Sequence, residues 1–455
     1  MTYPRGGVER IKMSMRAPGV ALAASVLCLM GLAWAEAGPE DAIPSQLSLV
    51  EAEEIFLTRG FDLLIAEYGA QGAEGDLRAA GAHPNPNLNL TTYLVPKTSH
   101  DILYNTGSNA PVNLWGLGIG LTDNAALLDQ LSGKRALRVE AMSKALAAAR
   151  INIDDVRRLE LSQLRQTYVA AVMASLNLDA AKESFDTFDK QLILNQRRYD
   201  EGTINALDLS RVLQARLEAL QALDQAQSVR KQTIASLLFL LGVRSGFPEV
   251  TLTTGIDFAT LGQLKDASVS SLHALALQNR TDVKIAVANL EFAQVAVRQA
   301  KRARIPDIQL QLGYSEICSS ASCSSEPGFN FGLQGNLPVL YQQQGEIKRA
   351  ESNALAAQRA LDKAKAQVLS DVAQAYAGFA AAKSQVERME GKLLEQAKLS
   401  RDLAQHMYQK GAASLIDFLD AQRGYVASQL EYHQDLANYW SAVYQLEQAT
   451  ATSLR

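Results

Sequence analysis

From Ile347 onward, apolar and alanine positions fall at Ala350, Ala354, Ala357, Leu361, Ala364, Val368, Val372, Ala375, Phe379, Ala382, Val386, Met389 and Leu393. The steps alternate three and four, the a/d seam of a coiled coil. One consecutive pair of fours, Ala364–Val368–Val372, is a stutter, which locally unwinds a left-handed supercoil. No proline interrupts Gly345 to Tyr408, so the stretch predicts one helix of roughly 95 Å. Such a helix cannot fold around a compact core and must pack sideways against others. It ends at Tyr408-Gln409-Lys410-Gly411, and a new helix over 414–453 follows, carrying Asp417 and Asp420.

The rest of the chain alternates the same two textures. Ser48-Leu49-Val50-Glu51 is a capping box opening a helical stretch to about Ala80, interrupted at Arg59-Gly60-Phe61-Asp62-Leu63 and stopped by His83-Pro84-Asn85-Pro86. Period-two alternation then predicts strands at 87–95 (Leu88, Leu90, Thr92 and Leu94 against Asn87, Asn89, Thr91 and Tyr93) and 113–121 (Trp115, Leu117, Ile119 and Leu121 against glycines). Long helices are expected over 125–199 and 208–241, and a Gly/Thr-containing linker over 243–265. Further strands fall at 308–314 and 329–333, with Ile308, Leu310, Leu312, Tyr314, Phe329, Phe331 and Leu333 forming the apolar face and Gln309, Gln311, Asn330 and Gln334 the polar one.

The chain is a duplication. Asn279-Arg280-Thr281-Asp282-Val283 repeats the Arg59–Leu63 element, and Asp282 follows Asp62 by 220 residues, as Pro306 follows Pro86. Later the offset is 209, for Tyr408 after Tyr199 and Gly411 after Gly202. Residues 48–242 and 266–455 are therefore two copies of helix, β-hairpin, very long helix, break, helix. The fold class is mostly α with a β part. Four strands cannot close a barrel with an interior, and an apolar-out, polar-in alternation marks a lipid-facing barrel. Several chains must therefore pool their strands.

Composition narrows this. Net charge is −4 over 455 residues, which excludes a nucleic-acid-binding balance. Arg5, Arg10, Lys12 and Arg16 precede the apolar run Ala17 to Leu32, and Ala33-Trp34-Ala35 is a small-x-small cleavage site, so residues 1–35 read as a signal peptide. No later segment is apolar enough for a transmembrane helix, leaving a β-barrel for any spanning part. Cys318 and Cys323, in a Ser-rich loop, suit a local disulfide in an oxidising compartment. No metal or cofactor site is expected. His83, His100, His273, His406 and His433 are scattered, and no catalytic constellation supports an enzyme.

With these features in hand, the chain resembles outer-membrane efflux proteins of the TolC type. The carriers are the duplication, Asn279–Val283, Ile305-Pro306, Leu337-Pro338, and Tyr408-x-x-Gly411 followed by Leu415-Ile416-Asp417-Phe418-Leu419-Asp420-Ala421-Gln422. The resemblance implies a homotrimer with a twelve-stranded barrel in outer-membrane lipid, continued by a helical tunnel through the periplasm. It implies partners as well, a periplasmic adaptor and an inner-membrane pump of a tripartite efflux or type I secretion system.

By the same resemblance, Asp417 and Asp420 fall on selectivity-ring positions, six carboxylates around a threefold axis; read alone, they are an ordinary acidic first turn. Tyr408 and Asp208 fall on two of three positions that hold such a tip closed. Ala413 stands where the family's Arg would be, which argues against a salt-bridge lock, leaves a Tyr408–Asp208 hydrogen bond open and points to a more weakly held aperture. Tyr93, Trp115, Tyr314, Phe329 and Phe331 suit an interfacial girdle. The competing readings are a periplasmic coiled-coil adaptor and a structural protein linking envelope layers; neither requires barrel-patterned hairpins in both halves.

Overall fold

The computed structural model describes residues 43–98, 112–244, 246, 248–258, 268–319 and 325–454. The expected signal peptide and Cys323 lie outside them, so the Cys318–Cys323 pairing does too.

The body is a set of long helices packed side by side. A two-residue strand β1 (Gln46–Leu47) leads into α1 (Leu49–Arg59). Its capping box forms: the Glu51 N–H donates to Ser48 Oγ at 3.2 Å, and the Ser48 N–H to the Glu51 carboxylate at 2.8 Å. Gly60 separates α1 from α2 (Phe61–Gly81). The hairpin β2 (Asn87–Thr98) and β3 (Val112–Thr122) follows, then α3 (Ala126–Leu131), α4 (Lys134–Asp200) and α5 (Ala206–Leu240). After β4 (Thr251–Leu252) the plan repeats with α6 (Val269–Asn279), α7 (Thr281–Arg302), β5 (Ile308–Ser319) and β6 (Ser325–Gly335). The second long helix is α8 (Gln344–Arg388), a π-helical turn (Met389–Leu393) and α9 (Leu394–Gln409), with α10 (Leu415–Thr450) returning.

Three differences from the sequence expectation have physical causes. First, the helix expected over 125–199 is divided. Ala125 and Gly133 both have positive φ, 63° and 73°, and these left-handed residues turn the chain from the sheet through α3 into α4. Second, the supposed linker contains β4, which pairs in parallel with β1; Tyr168 staples the pair, donating to Leu47 O at 2.9 Å and accepting from Thr254 N at 3.2 Å. Two-residue strands carry no readable period. Third, α8 runs unbroken through the stutter, and the irregularity falls at Met389–Leu393.

That π turn rephases the seam. Ile347, Leu361, Val368, Val372, Phe379, Ala382, Val386 and Met389 are buried as the heptads require, but Leu393 is 48% exposed. Beyond it, Gln396, Ser400, Leu403 and Met407, the continuation of the old phase, all face out, while Leu394, Ala397, Arg401, Ala404 and Tyr408 turn inward. One extra residue per turn produces this shift.

Charged contacts fix the middle of the body. Buried Arg280 donates to Asp282 at 2.6 Å and to Asp371 at 2.8 Å, tying the start of α7 to α8. Thr281 donates to Asp155, which also accepts from Arg158 at 2.8 Å. Arg165 on α4 bridges Glu53 on α1 at 2.6 Å and Glu447 on α10 at 3.0 Å. Removing one member of such a group strands a buried charge, at a cost of about 3–5 kcal/mol. The Asn279–Val283 motif thus holds helices together.

Candidate functional site

The four long strands form one antiparallel sheet in the order β2-β3-β5-β6. They run longer than the alternation indicated, because β6 begins with Ser325-Glu326-Pro327-Gly328, which carries no apolar period. Register stacks Leu88, Leu121, Leu312 and Phe331 across the four strands, and Leu90, Ile119, Tyr314 and Phe329 in the next row. These residues are exposed, Phe331 by 81%. Tyr314 and Phe329 meet edge-on with ring centroids 5.6 Å apart. Trp115 stands opposite Cys318, further along the strands, and Tyr93 opposite Gly116.

The other face is polar and small. Asn89 donates to Thr122 at 2.9 Å, Gln311 to Gln334 at 2.5 Å and Asn330 to Ser315 at 3.3 Å. A Cβ on Gly118 would lie 2.6 Å from Thr91 Oγ1, so close approach requires glycine there. One face suits lipid and the other water. The outer edges of β2 and β6 have no partner strand among the described residues.

At the far end, both helical pairs turn by the same device. Gly202 and Gly411 have φ of +72° and +75°. Thr203 N donates to Arg198 O and Ala412 N to Met407 O, each at 2.8 Å, while Gly202 N and Gly411 N reach Tyr199 O and Tyr408 O. This is a Schellman motif in each copy. The next helix is capped by Asn205 in the first copy and Ser414 in the second, each accepting from the N–H three residues on, Asp208 or Asp417.

The duplication then exposes an asymmetry. The offset of 209 equates Asp417 with Asp208 and Asp420 with Arg211. Asp208 is paired with Arg211 at 3.2 Å, so the first copy's turn neutralises itself. In the second copy Asp417 and Asp420 are both exposed and have no cation against them among the described residues. Asp417 does serve its helix: its carboxylate accepts from Ser414 N at 3.0 Å and Ser414 Oγ at 2.7 Å. The hydroxyl and backbone donors of Ser414 hold that carboxyl below the usual carboxylate range.

The Tyr408 hydroxyl does not bond Asp208. Tyr408 is buried, and its hydroxyl donates to Asn195 Oδ1 on α4 at 2.5 Å. Asn195, fully buried, returns its amide to Gln191 O at 2.8 Å. The Tyr408 ring stacks on Phe418 (5.6 Å, 12°), and the Arg198 guanidinium lies 5.2 Å over it. Phe188, Val212, Ala215, Leu415 and Leu419 close the cluster. Asp208, half-buried and held by Arg211, cannot reach inside. The signal for Asn195 was present in the pattern: Phe188, Gln191 and Asn195 follow seam steps of three and four, and a polar residue in a seam usually has a specific partner.

The sequence profile described as "Outer membrane efflux protein" matches residues 54–243 and 272–452. The pyoverdine export outer membrane protein OpmQ of Pseudomonas putida is 25% identical, over 66% of this chain and 63% of its own length. The cobalt-zinc-cadmium resistance protein CzcC of Cupriavidus metallidurans is 23% identical, over 85% of each. Among solved structures, CusC superposes with a TM-score of 0.70 at 20% identity, over 88% of this chain and 91% of that one. The CmeC outer membrane channel of Campylobacter jejuni gives 0.72 at 17%, over 88% and 85%. An apolar-faced sheet on helices of roughly 100 Å, duplicated in one chain and matched by this profile over both copies, leads to one assignment: the chain belongs to the outer membrane efflux protein family.

Proposed function

We propose that this protein is the exit duct of a tripartite efflux or type I secretion system. Three copies pool their sheets, edge β6 of one on edge β2 of the next, into a twelve-stranded barrel. The long helices continue it across the periplasm to an adaptor and an inner-membrane pump. One observation carries the reading: a sheet with a continuous exposed apolar face and two open edges, mounted on helices of roughly 100 Å. In water, Leu88, Leu90, Leu117, Ile119, Leu121, Leu312, Phe329, Phe331 and Leu333 would forgo on the order of 10 kcal/mol of burial, comparable to the stability of a whole domain.

The opposite face, of Asn, Gln, Thr, Ser and Gly, offers no cluster built for one ligand. Relatives named for pyoverdine export, for cobalt-zinc-cadmium resistance and for toluene efflux fit a duct that leaves the choice of cargo to its pump. Asp417 and Asp420 form the carboxylate ring at the periplasmic aperture, since the matching position Arg211 is absent from the second copy. Tyr408 holds the aperture closed through Asn195, with Asp208 contributing at the turn surface.

The test is planar-bilayer conductance of wild type and Asp417→Ala/Asp420→Ala, with millimolar divalent cations added. Cation-selective steps blocked by divalents, with block lost in the double variant, are expected. Absence of conductance in both would sink the duct; selectivity unchanged in the variant would sink the ring and keep the duct.

A further inference from the structure

The apolar surface does not end where the sheet ends. Five residues beyond Thr122, the last of β3, stands Leu127; five beyond Gly335, the last of β6, stands Leu340. Both are exposed, Leu340 by 99%. Leu131 repeats one turn along α3, and Leu337, Val339 and Tyr341 flank Leu340, all exposed. The two copies thus build the same apolar feature, by a short helix in one and a loop in the other.

The adjoining helix ends are basic. Segments 123–138, 301–307 and 341–351 hold eight Lys and Arg against five Asp and Glu, an excess of three positive charges in a chain whose total is −4. Lys134, Arg138 and Lys301 are paired, with Asp307, Asp129 and Glu351. Arg302, Lys348 and Arg349 are exposed and make no ion pair among the described residues.

What covers this surface follows from topology. β6 is an edge strand, so a second copy seated on that edge reaches only the loop after it. β3 lies inside the sheet, between β2 and β5, and Leu127 and Leu131 are beyond such a copy. The bilayer that meets the apolar sheet face is continuous with both. We infer that this collar, on the helix side of the sheet, seats in the periplasmic leaflet of the outer membrane and binds anionic phospholipid. The leucines enter the acyl boundary, and Arg302, Lys348 and Arg349 meet the phosphates. Each such cation favours an anionic surface by about fivefold, and apolar side chains beside basic ones are the composition of an interfacial anchor.

This inference rests on the barrel reading, and the test separates the two. In vesicles of phosphatidylcholine and phosphatidylglycerol, bromines deep in the acyl chains quench Leu117→Trp, at the middle of β3, in a Trp115→Phe/Trp440→Phe background if the sheet inserts; no quenching there is a failure of the duct. In a Trp115→Phe/Trp440→Phe background, Leu127→Trp and Leu340→Trp are both quenched by lipid brominated near its headgroup. Loss at either position overturns the collar, and loss at Leu340→Trp alone assigns the loop to a second copy. Native mass spectrometry of the intact protein supplies the charge arm. Wild type retains phosphatidylglycerol over phosphatidylcholine at least about fivefold, and Arg302→Gln/Lys348→Gln/Arg349→Gln removes the preference. Equal retention in wild type, or an unchanged preference in the variant, overturns the headgroup site.

Discussion

Asn195 uses its amide on the main-chain carbonyl of Gln191 in its own helix and its oxygen on Tyr408 of another, so a single residue joins α4 to α9 inside the coil tip. Asn195→Ala leaves the Tyr408 hydroxyl unpartnered in a dry site, a cost of about 1–3 kcal/mol. That shifts a closed-to-open equilibrium by roughly 5- to 150-fold. Spontaneous openings in a bilayer recording should rise accordingly, while Asp208→Ala, acting at the turn surface, changes them little. Tyr408, Asp208, Asp417 and Asp420 were legible because they sit beside glycine breaks at fixed order along the chain. Asn195 was not, being one polar residue among many in α4, and only its seam position marked it. Asp417 carries a pH consequence. Its carboxyl is held below the ordinary value of 3.8 by Ser414, so its charge, and the cap it makes, persist as pH falls through the carboxylate range and are lost only below it. Ser414→Ala removes the hydroxyl donor and keeps the backbone one, and cation selectivity should then fade at higher pH than in wild type. Reversal potentials recorded between about pH 5 and pH 3 will show whether the two curves separate.

At the scale of elements, the π turn at Met389–Leu393 decides which side of α9 faces the interior. Tyr432 on α10 donates to Glu390 at 2.9 Å, fixing the turn in place, and burial, with Glu390 beside it, pushes the Tyr432 hydroxyl up to about 12. Deleting Gly391 removes the extra residue, so regular helix then carries Leu394, Ala397, Arg401, Ala404 and Tyr408 on the same inner face as before. Tyr408 should keep Asn195, with openings at the wild-type rate; inserting one alanine after Leu394 instead rotates everything beyond it by about 100°, and openings should rise as in Asn195→Ala. A leak rate equal to wild type in the insertion variant would show that the phase of α9 does not hold the tip. The turn was hidden in the sequence because Leu393 and Leu394 are adjacent and both apolar, so either continues a plausible seam. The strands were easier, since exposed leucines alternating with Asn, Thr and Gly fit neither a soluble core nor a helix. Their full length was not, because the ends of β2 and β6 carry no alternation.

At the scale of the molecule, the duplication made the architecture readable: equal spacing of matched prolines and glycines ties two halves to one plan without reference to any fold. What it left out is the wiring between halves, where Arg165 joins Glu447 and Thr281 joins Asp155 across 282 and 126 positions, and single-residue periodicity carries no such information. The open edges of β2 and β6 bear on how the protein is made. The helical body has buried seams and ion pairs of its own within one chain. The sheet in a lone chain has neither closed edges nor a solvent suited to its apolar face. On the proposed pooling of sheets, biogenesis divides into two stages of different order: the seams within one body form unimolecularly, while completion of the sheet depends on the concentration of copies and on a membrane being present. Between the stages, each chain carries a hairpin pair with strand edges open to any partner, and the cell must deliver it before an unintended one arrives.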